Sequence, residues 1–140
     1  MMAFVAGAFL PIQAGLNSKL GKAGGSAVYA STISFVIGSI GLLLYILFTR
    51  QTVSWAGIKM APAYVWVGGL LGAFYVTVII LSFPKLGPGL TFGLVVAGQM
   101  LASAFLEHNN ILVAQAQPIS LLRIIGIFLI IAGVVIIRKF

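Results

Sequence analysis

The chain has 140 residues, of which 61% are hydrophobic and 6% are charged, with a formal net charge of +7 and a mean hydropathy of +1.21. Soluble domains average about 25% charged residues, so this composition excludes a water-soluble fold and indicates an integral membrane protein. The sequence has no cysteine, which excludes disulfides, thiolate metal sites and cysteine nucleophiles. Its eight basic residues stand at or between apolar runs. We therefore expect them to face membrane lipid headgroups and not nucleic acid.

Five stretches have about the length and apolarity that a membrane-spanning helix needs, roughly 20 residues. In chain order the predicted spans are Ala3–Leu20, Ala27–Phe48, Ala63–Phe83, Leu90–Leu106 and Ile119–Ile137. The connections between them are GKAGG at 21–25, a polar segment at 49–60, FPKLGPGL at 83–90 and EHNNILVAQAQP at 107–118. The sequence thus predicts an all-α, multi-pass protein of the cell membrane, with residues 1–140 forming a single domain of five transmembrane helices.

The first span contains the most informative segment, PIQAGLNSKLG at Pro11–Gly21. Gln13 and Asn17 stand four residues apart, so on a helix they share one face. Pro11 lacks an N–H and loosens the helix where they project. Polar side chains are costly at membrane depth unless they face other helices or a watery cavity. Either Gln13 and Asn17 line a substrate cavity, or they bond a neighbouring helix.

Other polar or aromatic side chains extend the predicted cavity. Ser31 and Ser34 lie in the second span, Trp66 and Tyr75 in the third, and Gln99 in the fourth. Four of the five, all except Tyr75, have a simpler alternative. Serines in helices often donate to their own backbone, and Trp66 near the start of its span suits an interface anchor. Gln99, like the first-span amides, is also suited to bonding another helix.

Small residues recur on single faces of the last three spans. Gly68 and Gly72 form a GxxxG pair, and Gly126 and Gly133 stand one heptad apart, while Gly93 lies on a further small-residue face. Such residues let helix backbones approach closely. We predict that these glycines pack helices together, and they also suit rocking between conformations.

Glu107 is the only acid in the sequence and His108 the only histidine. Together they suit proton binding near the membrane surface, and Arg123 suits pairing with Glu107, with an anion or with a headgroup phosphate. One histidine and one acid make no metal site. The chain also lacks paired carboxylates and any nucleophile–base set. We therefore expect no catalytic residues, no cofactor and no enzymatic activity.

Five spans leave a near-balance of basic residues on the two sides of the membrane. One side has Arg50, Lys59 and Arg123, and the other has Lys19, Lys22, Lys85, Arg138 and Lys139. Because the Lys/Arg bias of short loops sets orientation, three against five specifies it weakly. Two readings stay open. Either the chain inserts both ways up, as an antiparallel dimer requires, or it has one orientation with the C-terminal side inside.

Several motifs occur in one order along the chain. They are PIQAGLNSKLG, AYVWVGGLLGAFYV, PKLGP, Gly98–Gln99, the pair Glu107–His108 and the P-x-x-x-x-R-x-x-G pattern from Pro118 to Gly126. In this combination the sequence resembles the small YdcZ-type bacterial membrane proteins, a branch of the drug/metabolite transporter superfamily. The resemblance implies a half-size transporter of the inner membrane, paired with an inverted copy of itself or with a sister chain as a heterodimer.

One departure from that superfamily bears on mechanism. Its small multidrug exporters carry a glutamate in the first helix, whereas this chain has Gln13 and Asn17 there and no carboxylate. Proton-coupled export of cations by that route is therefore not expected. The sequence predicts alternating-access transport of a small neutral, amphipathic or anionic solute. The alternative is a non-transporting membrane subunit that assembles with a partner membrane protein.

Overall fold

The computed structural model describes residues 1–113 and 117–139, and the regular structure of these residues is entirely helical. In chain order the elements are α1 (Met2–Ala23), α2 (Ala27–Thr49), α3 (Trp55–Met60), a 3-10 helix (Ala63–Val67), α4 (Gly68–His108) and α5 (Leu121–Lys139). The predicted all-α fold is confirmed for this part of the chain. Residues 114–116, in the predicted connection at 107–118, lie outside the described residues.

α1 and α2 form a helical hairpin with a short turn. α1 continues to Ala23, three residues beyond the predicted end of the first span. Gly25 turns the chain at φ +69°, a conformation that glycine adopts without steric cost. Ser26 then caps α2, since its side-chain oxygen accepts a hydrogen bond from the backbone N–H of Tyr29 at 3.3 Å. Glycine and serine therefore place the two helices side by side.

Gly21, near the end of α1, marks the closest packing in this region. A Cβ atom built on Gly21 would lie 3.1 Å from Cγ2 of Ile80 and 3.5 Å from Cβ of Ala30. The small residue thus lets α1 approach both α2 and α4. The sequence reading assigned Gly21 to the turn, and this packing role was missed because the residue belongs to α1.

Between α2 and α4 the chain forms two short helical elements. Ser54 caps α3, its side-chain oxygen accepting from the backbone N–H of Gly57 at 3.2 Å. Pro62 precedes the 3-10 helix, a position where proline's missing N–H costs no helical hydrogen bond. The third predicted span therefore starts as a 3-10 helix and becomes α-helical at Gly68.

α4 is 41 residues long, with one non-helical residue, Gly87, at φ 75° and ψ 165°. A proline disfavours the α region for the residue before it, and Pro88 follows Gly87. The positive φ requires glycine. The break predicted over 83–90 is therefore wrong in extent, because helix continues on both sides of this single residue.

The break at Gly87 affects the hydrogen bonding of the Thr91 hydroxyl, four residues later. Four hydroxyls elsewhere lie within hydrogen-bond distance of the carbonyl oxygen four residues before them: those of Ser31, Thr32, Thr49 and Thr77. For Thr91 that carbonyl belongs to Gly87, which has left the helical path. The Thr91 side chain is 2% exposed, and its hydroxyl has no hydrogen-bond partner among the described residues. Loss of the local acceptor explains the orphaned hydroxyl.

Three helical stretches in the described residues are long and apolar enough to cross a membrane: Ala27–Thr49, Ala63–His108 and Leu121–Lys139. The middle stretch contains both the third and the fourth predicted spans. α1 has sufficient length but falls short in hydropathy, because it carries Gln13, Asn17 and two lysines. The count of five crossings stays a prediction.

Contacts within the chain define two compact units, a first unit of Met1–Lys85 and a second unit of Leu86–Phe140. The first unit contains α1, α2, α3, the 3-10 helix and the beginning of α4, and the second contains the rest of α4 and α5. The assignment of residues 1–140 to a single domain stays a prediction.

Candidate functional site

An open groove of about 540 Å³ runs along α1 and α2 in the first unit. We call it the α1–α2 groove. Its polar lining consists of Gln13, Asn17 and Ser34. Its apolar lining consists of Phe9, Leu10, Ile12, Leu16, Leu20 and Ile37. The structure thus brings together three of the predicted cavity residues, on two helices, in one largely apolar recess.

The sequence of α1 explains why polar groups project at this place. Gln13 and Asn17 are one helical turn apart, and both line the groove. Pro11 lies inside α1. It has no N–H, so the helical hydrogen bond to the carbonyl of Gly7 does not form and that backbone oxygen can accept another donor. The turn of α1 around Pro11 is therefore weakened, and the exposed carboxamide of Gln13 lies next to it.

Asn17 connects α1 to α2. Its side-chain amide Nδ2 donates to Oγ of Ser34 at 3.1 Å, and the residue is 8% exposed. A carboxamide has two N–H donors and an acceptor oxygen. The bond to Ser34 uses one donor and is the only side-chain hydrogen bond of Asn17 among the described residues. Asn17 therefore bonds a neighbouring helix, which was one alternative from the sequence. It also lines the groove, which was the position expected under the other.

A second polar contact joins α2 to α4 within the first unit. The hydroxyls of Ser31 and Thr77 lie 2.8 Å apart. Ser31 Oγ also lies 2.9 Å from the carbonyl oxygen of Ala27, and Thr77 Oγ1 lies 2.8 Å from that of Ala73. Two hydroxyl protons serve three contacts, so one hydroxyl donates across the helices while the other donates to its own backbone.

The Ser31–Thr77 pair differs from the sequence expectation in two ways. Ser31 lines a separate open groove of about 470 Å³ along α2 and α4, together with Thr77, rather than the α1–α2 groove. Thr77 was missed altogether. The available signal was a hydroxyl in the apolar run AFYVTVII, but a threonine that bonds its own backbone gives the same signal.

Three other predicted cavity residues lie away from the α1–α2 groove lining. Trp66 is 63% exposed in the 3-10 helix. Tyr75 lies on α4, and its hydroxyl is buried without a hydrogen-bond partner among the described residues. Gln99 belongs to the second unit and is exposed on α4. Their roles in substrate binding stay predictions.

In the second unit, Glu107 and Arg123 form an ion pair between α4 and α5. The pair lines a small pocket of about 270 Å³. Arg123 also donates from Nη1 to the carbonyl oxygen of Gln117 at 3.2 Å, and Nδ1 of His108 accepts from the backbone N–H of Ile119 at 3.4 Å. These contacts link the end of α4 to the start of α5. Of the three readings of Arg123, the structure forms the pairing with Glu107.

The predicted packing glycines have different surroundings. A Cβ atom on Gly93 would lie 2.9 Å from Cγ2 of Val134, and one on Gly72 would lie 3.5 Å from Cζ of Phe35. Gly93 and Gly72 therefore sit at close helix contacts in their own units. For three others, Gly68, Gly126 and Gly133, such a Cβ would have no described heavy atom within 4 Å beyond its chain neighbours and the adjacent backbone of its own helix.

No three side chains of His, Cys, Asp or Glu come together among the described residues. This agrees with the composition, since the whole sequence contains one acid, one histidine and no cysteine. The arrangement offers neutral hydrogen-bond donors and acceptors in the first unit and one charge pair in the second. Such groups recognise and orient a solute, and the described residues include no set that activates a nucleophile.

Residues 1–136 match a family described as "Putative inner membrane exporter, YdcZ". No curated protein and no solved structure matches the sequence.

Proposed function

Because the chain belongs to the YdcZ family, whose description is that of an inner membrane exporter, we propose that it transports a small organic solute by alternating access. The observation that carries the proposal is the α1–α2 groove, where Gln13, Asn17 and Ser34 line an otherwise apolar recess. Polar groups at membrane depth mark solute pathways when they face a cavity. The family description supports a transporter rather than an enzyme.

The chemistry of the groove narrows the solute class. Its lining contains amides, a hydroxyl and apolar side chains, and no charged residue. The only acid of the sequence, Glu107, is paired with Arg123 in the second unit. No fixed negative charge is thus available to compensate a cation in the groove. We propose a neutral or amphipathic solute, or a weakly anionic one, held by hydrogen bonds to the carboxamides.

We propose that the chain crosses the membrane five times. At about 1.5 Å per residue, the helical residues on each side of Gly87 extend roughly 30 Å, close to the hydrocarbon thickness of about 30 Å. Residues 68–86 and 88–108, on either side of Gly87, each have the length of one span. Lys22 in the last turn of α1 and Lys85 before Gly87 line one pocket, which supports one membrane side for the two connections that follow them. α1 makes the fifth crossing, and its polar face lines the pathway.

Five crossings give half of an inverted repeat, the architecture that many transporters use for alternating access. We propose that two oppositely oriented chains form an antiparallel dimer, either a homodimer or a heterodimer with a sister chain. The near-balance of three basic residues against five on the two sides supports insertion in both orientations.

Orientation is testable because the chain contains no cysteine. Met2→Cys and Phe140→Cys variants, which leave every basic residue in place, are made separately and labelled from outside intact cells with a membrane-impermeant maleimide. Insertion both ways gives comparable labelled fractions for the two variants. Labelling of one end only would exclude the antiparallel homodimer and leave the heterodimer with a sister chain.

The transport proposal is tested in proteoliposomes. Neutral, amphipathic and anionic metabolites are screened for uptake by the wild-type protein, and variants are compared on a transported solute. Asn17→Ala and Gln13→Ala are each expected to reduce flux about tenfold, since a polar group of the solute left unpaired in the groove costs about 1–3 kcal/mol. Asn109→Ala is the matched control, because Asn109 follows the end of α4 and its amide donates to the carbonyl oxygen of Phe105, four residues before it.

Normal flux in both groove variants would show that the α1–α2 groove is not the pathway. If no solute is moved by the wild-type protein, yet it forms a defined complex with another membrane protein, the non-transporting subunit replaces the transporter.

A further inference from the structure

A pocket at one end of the first unit brings two lysines together from distant parts of the sequence. It has a volume of about 350 Å³ and lies among the end of α1, the start of α2 and α4. Lys22 and Lys85 line it, together with Ser26. Gly25 also lines it, at a position where a Cβ atom would meet open space. The two cations therefore face a recess with room for a ligand.

No acidic side chain of this chain compensates the two lysines. Residues 1–85 contain no aspartate or glutamate, and the single acid, Glu107, is paired with Arg123. Among the described residues neither Lys22 nor Lys85 forms an ion pair. Two like charges at one pocket repel each other unless an anion lies between them. An anion bound between them would relieve this repulsion.

Ser26 adds a neutral donor to the same pocket. Its oxygen accepts from the backbone N–H of Tyr29, so the hydroxyl proton is available to a ligand. Two ammonium groups and a hydroxyl form a donor set without an acidic acceptor, which suits an anion with several oxygens. Ile80 and Leu81 line the pocket beside these donors, so an apolar group attached to the anion also finds contacts.

We propose that this pocket, distinct from the α1–α2 groove, binds a phosphate group. The positions of the two lysines near helix ends agree with this ligand. Lys22 lies in the last turn of α1, and Lys85 lies two residues before the break in α4. Lysines at the ends of spans meet phosphates at the level of lipid headgroups. The phosphate belongs to an anionic lipid headgroup or is a free phosphate ion, and the two sources share the chemistry that the pocket recognises.

The test measures binding to the full chain in detergent micelles by native mass spectrometry and thermal shift. The probes are phosphatidylglycerol, phosphatidylcholine as the zwitterionic lipid, and inorganic phosphate. The variants are Lys22→Gln/Lys85→Gln, the charge-preserving Lys22→Arg/Lys85→Arg, and Lys59→Gln as the control. Lys59 is an exposed lysine of α3 that does not line the pocket. Lys22 and Lys85 are both exposed. The melting temperatures of the two double variants without ligand are therefore expected to stay near that of the wild type.

Phosphatidylglycerol is expected to bind more tightly than phosphatidylcholine and to raise the melting temperature. The double glutamine variant is expected to weaken its affinity about thirtyfold, from the contribution of each lysine near an anionic group. The arginine variant and Lys59→Gln retain the affinity. If inorganic phosphate binds with the same dependence on the two lysines, the source is the free ion. Binding that is equal in the glutamine variant, or absent for both phosphatidylglycerol and phosphate, would overturn the proposal.

Discussion

The two compact units of this chain place their polar groups in different ways. In the first unit the helices are joined by neutral pairs, Asn17 with Ser34 and Ser31 with Thr77. In the second unit the contact between α4 and α5 includes a full charge pair, Glu107 with Arg123, where α4 ends. Charge is costly in the middle of a membrane and tolerable near its surface. The neutral pairs therefore suit contact with a solute inside the bilayer, and the ion pair suits holding a helix end.

The largest effect is expected from breaking the ion pair. The side chains of Arg123 and Glu107 are 32% and 25% exposed, between the surface and the buried case. Exposed pairs contribute about 0–1 kcal/mol, and breaking a buried pair costs about 3–5 kcal/mol. We expect Glu107→Gln to lower the free energy of unfolding by about 2 kcal/mol. The measurement is titration with a denaturing detergent, followed by circular dichroism.

A double-mutant cycle isolates the pair itself. Glu107→Gln/Arg123→Gln is expected to lose less stability than the sum of the two single variants, since no unpaired charge is left behind. Arg138→Gln is the matched control, an exposed arginine in the last turn of the same helix, α5. Strict additivity of the two single variants would mean that the pair contributes nothing to the second unit.

A smaller effect is expected from the neutral pair in the first unit. Hydrogen bonds between membrane helices average about 0.6 kcal/mol, and each hydroxyl of the pair has its own backbone carbonyl as an alternative acceptor. The cycle of Ser31→Ala and Thr77→Val is therefore expected to give a coupling near that average, in the same denaturation assay. A coupling equal to that of Glu107 with Arg123 would remove the energetic distinction between the units.

Local spacing predicted one side of the candidate site well. Gln13 and Asn17 share a face because of the helical period, and both line one groove. The partners across the groove depend on how helices pack, which one sequence does not specify. For that reason Ser34 and Ser31, three residues apart, were expected in one cavity and lie in two grooves. Thr77 was missed for the same reason.

The glycines show that one sequence is also insufficient to specify how the helices of the fold bend and pack. The Pro/Gly-rich segment at 83–90 signalled a break, but only Gly87 has a positive φ, because Pro88 disfavours the α region for the residue before it and glycine adopts positive φ without steric cost. Gly21 read as a turn residue, yet its close contact with Ile80 belongs to helix packing. Composition shows where the chain can bend or approach closely. The residues that lie next to a glycine in three dimensions decide whether it forms a bend or a close helix contact.

The measurement that most directly tests the α1–α2 groove as a solute pathway is its access to water in the membrane. Gln13→Cys and Leu42→Cys are introduced separately into the cysteine-free chain and treated in native membranes with a charged maleimide. Gln13 lines the groove, and Leu42 is an exposed apolar residue of α2 outside its lining. We expect rapid labelling of the Gln13→Cys variant, slowed by a transported solute, and no labelling of Leu42→Cys. Failure of Gln13→Cys to label at all, or equal labelling of both variants, would contradict the pathway.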